Sequence, residues 1–364
     1  MDNSRQIREE PALELSTGRD PSPFVVSVGN IAFGGRGKTP TVAFIVRLLI
    51  EMGERPAVIS RGYGRRRVED GVVVVSDGRH LLADLERAGD EPLMLARDLP
   101  GVPVLVCEQR AIAGAMARHA FGATALVLDD GFQHRQMARD VDIVLVTPED
   151  LEGRRAPFGR LWESPAALER ADAVIWAGDG CRSVENSSQT SEGPGLEFST
   201  DRHPSPSIAR SPTEGDGSRT VENSGAGPSL ICPEFSTVRH PSPVSLPPGS
   251  HVFLLAGIAG PDRFTRAAVD AGYVVAGAWA PGDHHRYTTA DVARLAREVK
   301  TTGAVGVLTT SKDAVRLLPL RPLPFAMYEW PLRVTIEPAE PFAAWLRRRR
   351  DQARATHAAQ AAPA

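Results

Sequence analysis

The sequence predicts an α/β protein built around a mostly parallel sheet flanked by helices, followed by a second, smaller α/β domain. Two observations predict this architecture. Apolar strand-like runs alternate with helical segments between residues 24 and 180. The same alternation resumes at residue 251, after a long polar stretch, and continues to about residue 350.

The candidate strands are short apolar runs separated by helical segments, and this order favours parallel pairing. In the first domain they are 24–28, 56–60, 72–76, 103–107, 125–129, 142–147 and 173–177. In the second domain they are 252–256, 273–279, 305–309 and 325–328, with helices near 261–271 and 289–299.

The polar stretch between the two domains contains repeated sequences. Each second copy follows the first by 37 residues: Val-Glu-Asn-Ser at 184–187 and 221–224, Glu-Phe-Ser-Thr at 197–200 and 234–237, and Arg-His-Pro-Ser-Pro at 202–206 and 239–243. These units have too few apolar residues to stack as a solenoid, so they predict a disordered insertion. The expected organisation is a polar N-terminal segment (1–23), the first domain (24–180), the repeat insertion (181–248), the smaller α/β domain (249–350) and a frayed tail (351–364).

The composition argues against several classes of function. A net charge of −3 and a pI near 6.3 argue against a nucleic-acid partner bound through bulk charge. The cysteines Cys107, Cys181 and Cys232 lack metal-like spacing. An odd cysteine number without a secretory leader fits a reducing cytoplasm. No stretch approaches the roughly 18 consecutive apolar residues of a membrane span.

The strongest motif follows the first strand. Residues 29–40 read Gly-Asn-Ile-Ala-Phe-Gly-Gly-Arg-Gly-Lys-Thr-Pro, and an amphipathic helix comes next. Such a loop directs backbone N–H groups and a helix N-terminus at a polyphosphate. The first glycine of the usual pattern is replaced by Ala32, and Gly34 and Gly35 supply flexibility within the loop. Residues 24–180 are therefore predicted to be a P-loop nucleotide-binding domain, in which Gly34, Gly35, Gly37, Lys38 and Thr39 hold a nucleoside triphosphate.

Two aspartates end the strand predicted at 125–129. In a P-loop protein a carboxylate at this position holds Mg²⁺, and Thr39 would be a further ligand. We therefore predict that Asp129 and Asp130 contribute to a magnesium site. The alternative is an ordinary strand-end turn, because Asp-Asp-Gly is also good turn chemistry.

Three further motifs are ambiguous by themselves. Asp90 and Glu91 fit a general base beside a transferred phosphoryl group, but Asp90 equally fits a helix N-cap with Pro92 in the first turn. His284 fits a proton relay or a solvated loop histidine. The basic loop at 60–67 fits a phosphate or lipid head-group site, or a solvated charge run.

Taken together, the motifs resemble those of the tetraacyldisaccharide 4'-kinase (lipid A 4'-kinase) family. The resemblance covers about 24–180 and 251–345. Its motifs are the loop at 29–40, Ser-Arg-Gly-Tyr-Gly-Arg at 60–65, Gly-Asp-Glu-Pro at 89–92, Asp-Asp-Gly-Phe-Gln-His-Arg at 129–135, Gly-Arg-Leu-Trp-Glu at 159–163, Ala-Gly-Ile-Ala at 256–259, Asp-His at 283–284 and Thr-Ser-Lys-Asp-Ala-Val at 310–315.

The resemblance implies transfer of the ATP γ-phosphoryl group to the 4'-hydroxyl of a tetraacylated glucosamine disaccharide 1-phosphate, a lipid A precursor. It implies that Asp90 is the catalytic base, that His284 is its partner, and that Lys38 and Thr39 handle phosphate and Mg²⁺. It places five other residues in active-site motifs: Glu91, Asp129, Asp130, Gln133 and His134, with Glu163 as a further candidate. It also implies work at the cytoplasmic face of the inner membrane.

Members of that family usually begin with an apolar N-terminal helix, whereas this N-terminus is polar. A weaker surface attachment is conceivable at residues 341–350, where Trp345 and Leu346 precede four arginines, although a solvated terminal helix explains them equally well. Two rival functions remain at this stage. One is a P-loop GTPase or metallochaperone, although the segment at 311–314 lacks a full Asn-Lys-x-Asp element. The other is a non-catalytic binding protein.

Overall fold

The computed structural model describes residues 22–178, 235–241 and 244–361. Its larger sheet has nine strands among these residues, and seven of them lie at or next to a strand predicted from the sequence; β8 and β13 were not predicted. They are β1 (Phe24–Asn30), β2 (Pro56–Ser60), β3 (Val73–Asp77), β4 (Pro103–Val106), β5 (Ala125–Asp129), β6 (Val141–Val146), β7 (Ala173–Trp176), β8 (Phe235–Pro241) and β13 (Leu332–Glu337). The spatial order is β13-β8-β7-β6-β1-β5-β2-β4-β3.

Seven adjacent strands, from β8 to β4, pair in parallel, and an antiparallel strand closes each edge. The central strand β1 reads Phe-Val-Val-Ser-Val-Gly-Asn and is buried along its whole length. A parallel sheet is covered by helices on both faces, so such a strand is apolar throughout and does not alternate. The carboxyl ends of β1, β2 and β5 therefore meet at one edge, where ligands bind in open α/β sheets.

The helices of the first domain are α1 (Lys38–Glu51), α2 (Leu85–Ala88), α3 (Asp90–Asp98), α4 (Arg110–Phe121) and α5 (Pro148–Leu151). Helix α1 buries Val42, Ile45, Val46 and Leu49 against the sheet, as its 3.6-residue apolar spacing predicts. Helix α3 begins directly after Gly89, whose φ of 86° is in the left-handed region. These two helices place Lys38 and Asp90 at the same edge of the sheet.

The smaller sheet is all parallel, in the order β10-β9-β11-β12. Its strands are β9 (His251–Leu255), β10 (Val274–Trp279), β11 (Val307–Thr310) and β12 (Met327–Trp330). Its helices are α6 (Pro261–Asp270), α7 (Thr289–Thr302) and α8 (Ser311–Arg316). The mixed α/β fold class and its large, mostly parallel sheet are thus confirmed.

Two domain boundaries predicted from the sequence were wrong. Strand β8 lies inside the stretch 181–248 that was predicted to be a disordered insertion, and it pairs with β7 and β13. Phe235 and Thr237 are two residues apart and both buried, because alternate side chains of a strand point to the same face. The surrounding Ser- and Thr-rich sequence does not mark this short strand. Residues 332–337 were assigned to the smaller domain with no strand predicted there, but they form β13, which returns the chain to the larger sheet. Residues 1–21 and most of the repeats lie outside the described part of the chain.

The C-terminal helix α9 (Ala339–Ala361) corrects two more expectations. Residues 351–361 continue this helix and do not fray, because Arg354 pairs with Glu54 at 2.7 Å and His357 with Asp140 at 3.0 Å. Leu346 is fully buried, and Trp345 packs against Phe235. The apolar face of α9 therefore packs on the sheet and is not exposed for contact with a membrane. No helix within the described residues is both long enough and apolar enough to span a bilayer.

Candidate active site

The glycine-rich loop joins the end of β1 to the start of α1. Gly34 and Gly37 have φ values of 106° and 83°, which side-chain-bearing residues rarely adopt. No side chain caps the N-terminus of α1, so its first backbone N–H groups remain available to an anion. The Lys38 ammonium donates to Asn30 Oδ1 at 3.0 Å and lies 3.3 Å from Asp130 Oδ1. Loop, helix terminus and ammonium thus form a cradle suited to a polyphosphate.

Neighbouring segments brace this loop. The Phe33 backbone N–H donates to the Arg160 carbonyl at 2.8 Å, and the rings of Phe33 and Trp162 lie 3.6 Å apart. Gln133 Nε2 donates to the Asn30 carbonyl at 2.8 Å. Gln133, predicted as an active-site residue, therefore supports the residue that holds Lys38.

The predicted magnesium ligands lie beside the loop. Asp129 is only 1% exposed, and its Oδ2 accepts a hydrogen bond from Ser60 Oγ at 3.2 Å. Its Oδ1 is buried and has no hydrogen-bond partner among the described residues. Burial raises the pKa of Asp129 to about 7, and the nearby charges of Glu91 and Asp130 act in the same direction. This oxygen therefore leaves a lone pair free for a ligand that the protein itself does not supply.

The donor set also fits Mg²⁺. Thr39 is buried at the start of α1, and Asp130 turns out of β5 with a φ of 53°. The described residues contain no group of three or more His, Cys, Asp or Glu side chains arranged as a metal site. Two carboxylates and a hydroxyl are oxygen donors of the kind that Mg²⁺ takes, with phosphates and water completing its shell.

A second cluster is centred on Asp90, the first residue of α3. Asp90 is 7% exposed, and its Oδ2 accepts hydrogen bonds from Arg316 Nε at 3.0 Å and Nη2 at 2.6 Å. Its Oδ1 accepts from the Glu91 backbone N–H at 3.0 Å. Gly89 occupies the N-cap position, so the alternative of Asp90 as the cap is wrong, whereas Pro92 does lie in the first turn.

His284 contacts the same carboxylate from the smaller sheet. Its Nδ1 lies 3.4 Å from Asp90 Oδ2, and its Nε2 lies 3.4 Å from Lys312 Nζ. The residue has a φ of 58°, a strained conformation of the kind that often marks functional sites. The sequence alternative of a merely solvated loop histidine is therefore not what the structure shows.

The charges around Asp90 decide its protonation state. Burial raises the pKa of Asp90, but the hydrogen bond with His284 and the positive charges of Lys312 and Arg316 outweigh burial and hold the pKa far below its ordinary value. Asp90 is consequently ionised at neutral pH. Lys312 also lies 3.4 Å from Glu91 Oε1, and Glu91 in turn acts electrostatically on Asp129. Glu91 and Lys312 thus link the cluster around Asp90 to the cluster around Asp129.

Sequence reasoning missed Lys312 and Arg316. They lie four residues apart on α8, so they share one face of the helix. Arg316 is fixed by further bonds from Nη1 to the Gly257 carbonyl at 2.7 Å and to Asp313 Oδ1 at 3.2 Å. The motif at 310–315 includes Lys312 and ends just before Arg316, so the sequence marks this segment but not the contacts of these two side chains.

Arg110 was also missed, and nothing in its local sequence marks it. The side chain is 2% exposed, and its Nη2 donates to the Asp130 carbonyl at 2.9 Å. Its Nε and Nη1 have no hydrogen-bond partner among the described residues. Burial lowers the pKa of Arg110, although the nearby Asp129 and Asp130 oppose that effect. Two buried donors are therefore available to an anionic ligand.

The other candidates are less central. The His134 backbone caps a turn by donating to the Gly131 carbonyl, and burial together with the charge of Arg110 lowers the pKa of its ring. Glu163 pairs with Arg170 at 3.0 Å and Arg135 at 3.4 Å. Burial raises the pKa of Glu163, but its hydrogen bond with Arg170 outweighs this, so the net direction is downward. Neither side chain contacts Asp90 among the described residues.

The mostly parallel α/β sheet carries a glycine-rich loop, a lysine in the first turn of the following helix and a buried aspartate after a neighbouring strand, an arrangement typical of P-loop nucleotide-binding proteins. The family described as tetraacyldisaccharide-1-P 4'-kinase, or LpxK, matches residues 4–351. The chain belongs to this family, and the family inferred from the sequence is confirmed.

Individual relatives agree. The chain is 35% identical over 321 residues to the tetraacyldisaccharide 4'-kinase of Syntrophus aciditrophicus, an alignment that covers 87% of this chain and 82% of the relative. It is 40% identical over 299 residues to that of Anaeromyxobacter sp. (strain Fw109-5), covering 82% and 74%. The crystal structure of the "apo" form of LpxK from Aquifex aeolicus in complex with ATP matches with a TM-score of 0.64 and 25% identity, covering 90% of this chain and 88% of that chain.

Proposed function

We propose that this protein is an ATP-dependent kinase that phosphorylates the 4'-hydroxyl of a tetraacylated glucosamine disaccharide 1-phosphate, in lipid A biosynthesis. The observation that carries the proposal is the ionised Asp90, held by Arg316 and His284 at the edge of the sheet that also presents the glycine-rich loop. A phosphate cradle and a buried base at one edge are the two parts that phosphoryl transfer to an alcohol requires. Family membership favours this function over a GTPase, a metallochaperone or a non-catalytic binding protein.

The residues of the first domain would bind ATP. Gly34, Gly35 and Gly37 shape the loop, and Lys38 would exchange its contacts with Asn30 and Asp130 for phosphate oxygens. Asp129, Asp130 and Thr39 would hold Mg²⁺, which when bound supplies positive charge beside the transferred group. The two unpartnered donors of Arg110 would face the same negative charge. These interactions stabilise charge that spreads over the phosphoryl oxygens in the transition state.

Asp90 and His284 would act on the acceptor. A carboxylate with a depressed pKa is a weak base, so Asp90 does not remove the proton of a sugar hydroxyl before reaction. It accepts a hydrogen bond from the hydroxyl, orients it toward phosphorus and takes the proton as the new bond forms. His284, 3.4 Å from the same oxygen, is placed to share that proton. Arg316 keeps Asp90 ionised and fixed in position.

The acceptor also defines where the enzyme works. A tetraacylated disaccharide stays in a membrane, so we infer that the protein acts at the cytoplasmic face of the inner membrane as a peripheral protein, and that it does not bind nucleic acid. Glu163, Gln133 and His134 would support the loop beside this site.

The test is transfer of label from γ-labelled ATP to the disaccharide 1-phosphate. Asp90→Asn should lower transfer by about 10²-fold or more while ATP binding persists, because the base acts on the acceptor. Lys38→Ala should weaken both ATP binding and transfer. Asp98→Asn, at the other end of α3, is the matched control and should transfer normally. Near-normal turnover in folded Asp90→Asn protein, or strong preference for GTP in competition, would reject the proposal.

A further inference from the structure

A tight hairpin stands beside the glycine-rich loop. We call residues 153–162 the arginine hairpin. It is closed by hydrogen bonds from the Leu161 N–H to the Arg154 carbonyl at 3.0 Å and from the Ala156 N–H to the Leu161 carbonyl at 2.9 Å. Leu161 is buried and anchors it, whereas the turn at the tip, closed by the bond from the Phe158 N–H to the Arg155 carbonyl at 3.0 Å, projects outward.

The tip combines exposed aromatic and basic side chains. Phe158 is 85% exposed, the highest fraction among the large apolar side chains of the described residues, and Trp162 is 53% exposed. Arg154, Arg155 and Arg160 are all exposed, and residues 153–162 contain no acidic side chain. Arg154 and Arg155 form no ion pair with any described residue. An exposed phenyl ring beside two arginines without ion-pair partners is the combination that suits the head-group boundary of an anionic bilayer.

The hairpin is also coupled to the loop that would hold ATP. The Arg160 carbonyl accepts a hydrogen bond from the Phe33 N–H, and Trp162 stacks on the Phe33 ring. If the acceptor is acylated, as the proposed function requires, its chains stay in the bilayer while its sugar reaches the loop. The segment braced against the loop is then well placed to touch the membrane.

We propose that the arginine hairpin docks the enzyme on an anionic lipid bilayer, with Phe158 inserted at the head-group boundary and Arg154 and Arg155 over lipid phosphates. This inference rests on the proposed function for its choice of a lipid surface. The basic stretch of α9 is a poorer candidate, because Arg349 pairs with Asp172 and Arg350 with Glu54.

The test is co-sedimentation of the full chain with vesicles of phosphatidylglycerol and phosphatidylethanolamine, compared with vesicles of phosphatidylcholine. Phe158→Ser should reduce the partition coefficient on anionic vesicles about tenfold, from the lost burial of one ring. The double variant Arg154→Ala/Arg155→Ala should reduce it about 30-fold at low salt, since each basic residue near such a surface contributes about fivefold. Val269→Ser, at an exposed position on α6, and Arg347→Ala/Arg348→Ala, an exposed pair on α9, are the matched controls.

Unchanged partition in both hairpin variants, or equal losses in the controls, would overturn the proposal. If the hairpin variants still partition onto vesicles but no longer bind ATP, the proposal is also overturned, and the hairpin is a nucleotide contact. Partition is measured without ATP or acceptor, and transfer is measured separately with acceptor in detergent micelles. If no label is transferred in micelles but partition onto vesicles depends on the hairpin, the kinase assignment is rejected and the docking surface is kept. If label is transferred but partition does not depend on the hairpin, only the docking surface is rejected.

Discussion

Replacing Asp129 by asparagine should stabilise the metal-free protein at alkaline pH while abolishing the phosphoryl transfer for which we propose a magnesium site. The folded state holds this carboxyl in a buried position with one unpartnered oxygen, so the charged form is penalised. Asparagine keeps an acceptor for Ser60 and carries no charge. The site would thus gain stability by losing its function, as expected where a site is organised for a ligand.

The magnitude follows from the pKa values of Asp129. Its ordinary pKa is 3.8, and burial raises it to about 7 in the folded state. Because the folded state binds the proton more tightly, stability falls as pH rises from about 4 to 7 and then levels off. About three pH units at 1.36 kcal/mol each give a penalty of about 4 kcal/mol above pH 7. An unpaired asparagine amide costs about 1–2 kcal/mol, which leaves a net gain of about 2–3 kcal/mol at pH 8 and almost none at pH 5.

The measurement is urea unfolding of both proteins in EDTA at pH 5 and pH 8. Asp70→Asn, at an exposed position away from this site, is the control and should change stability by no more than about 0.5 kcal/mol. With Mg²⁺ and ATP the order should reverse, because ligand binding stabilises only the protein that can bind it. An Asp129→Asn protein that is less stable than the parent at pH 8 in EDTA would refute this reasoning.

Two other substitutions probe the contacts that join distant parts of the chain. Arg316→Gln should lower the free energy of unfolding by about 3 kcal/mol, because it leaves the Asp90 charge buried with a weaker partner. Adding Asp90→Asn should restore much of that loss in a double-mutant cycle, whereas additive losses would show that the pair is not coupled. Leu346→Ala should lower the free energy of unfolding by about 2–5 kcal/mol, because it leaves a cavity under α9. Arg347→Ala, on the exposed face of the same helix, is its control. Equal effects of the two variants in urea unfolding would contradict the burial of Leu346.

The sequence was most informative where a structure is specified by neighbouring residues. Strand β5 and the glycine-rich loop could be recognised because apolar runs and left-handed glycines act locally. The ion pair of Asp90 with Arg316 joins residues 226 positions apart, and no local pattern reports such a contact. Strand β8 was missed because its burial comes from pairing with β7 and β13, which overrides its polar composition.

The placement of β13 and α9 has a consequence for biosynthesis. Helix α1, whose first residue is Lys38, packs against β13, and its Phe44 lies 6.3 Å from Phe342 of α9. Helix α1 is therefore covered only after β13 and α9, far along the chain, have been made. A nascent chain still on the ribosome has an unfinished sheet with β8 as an open edge, which is a template for association with other chains. Pairing of β13 with β8 is what covers that edge in the finished fold.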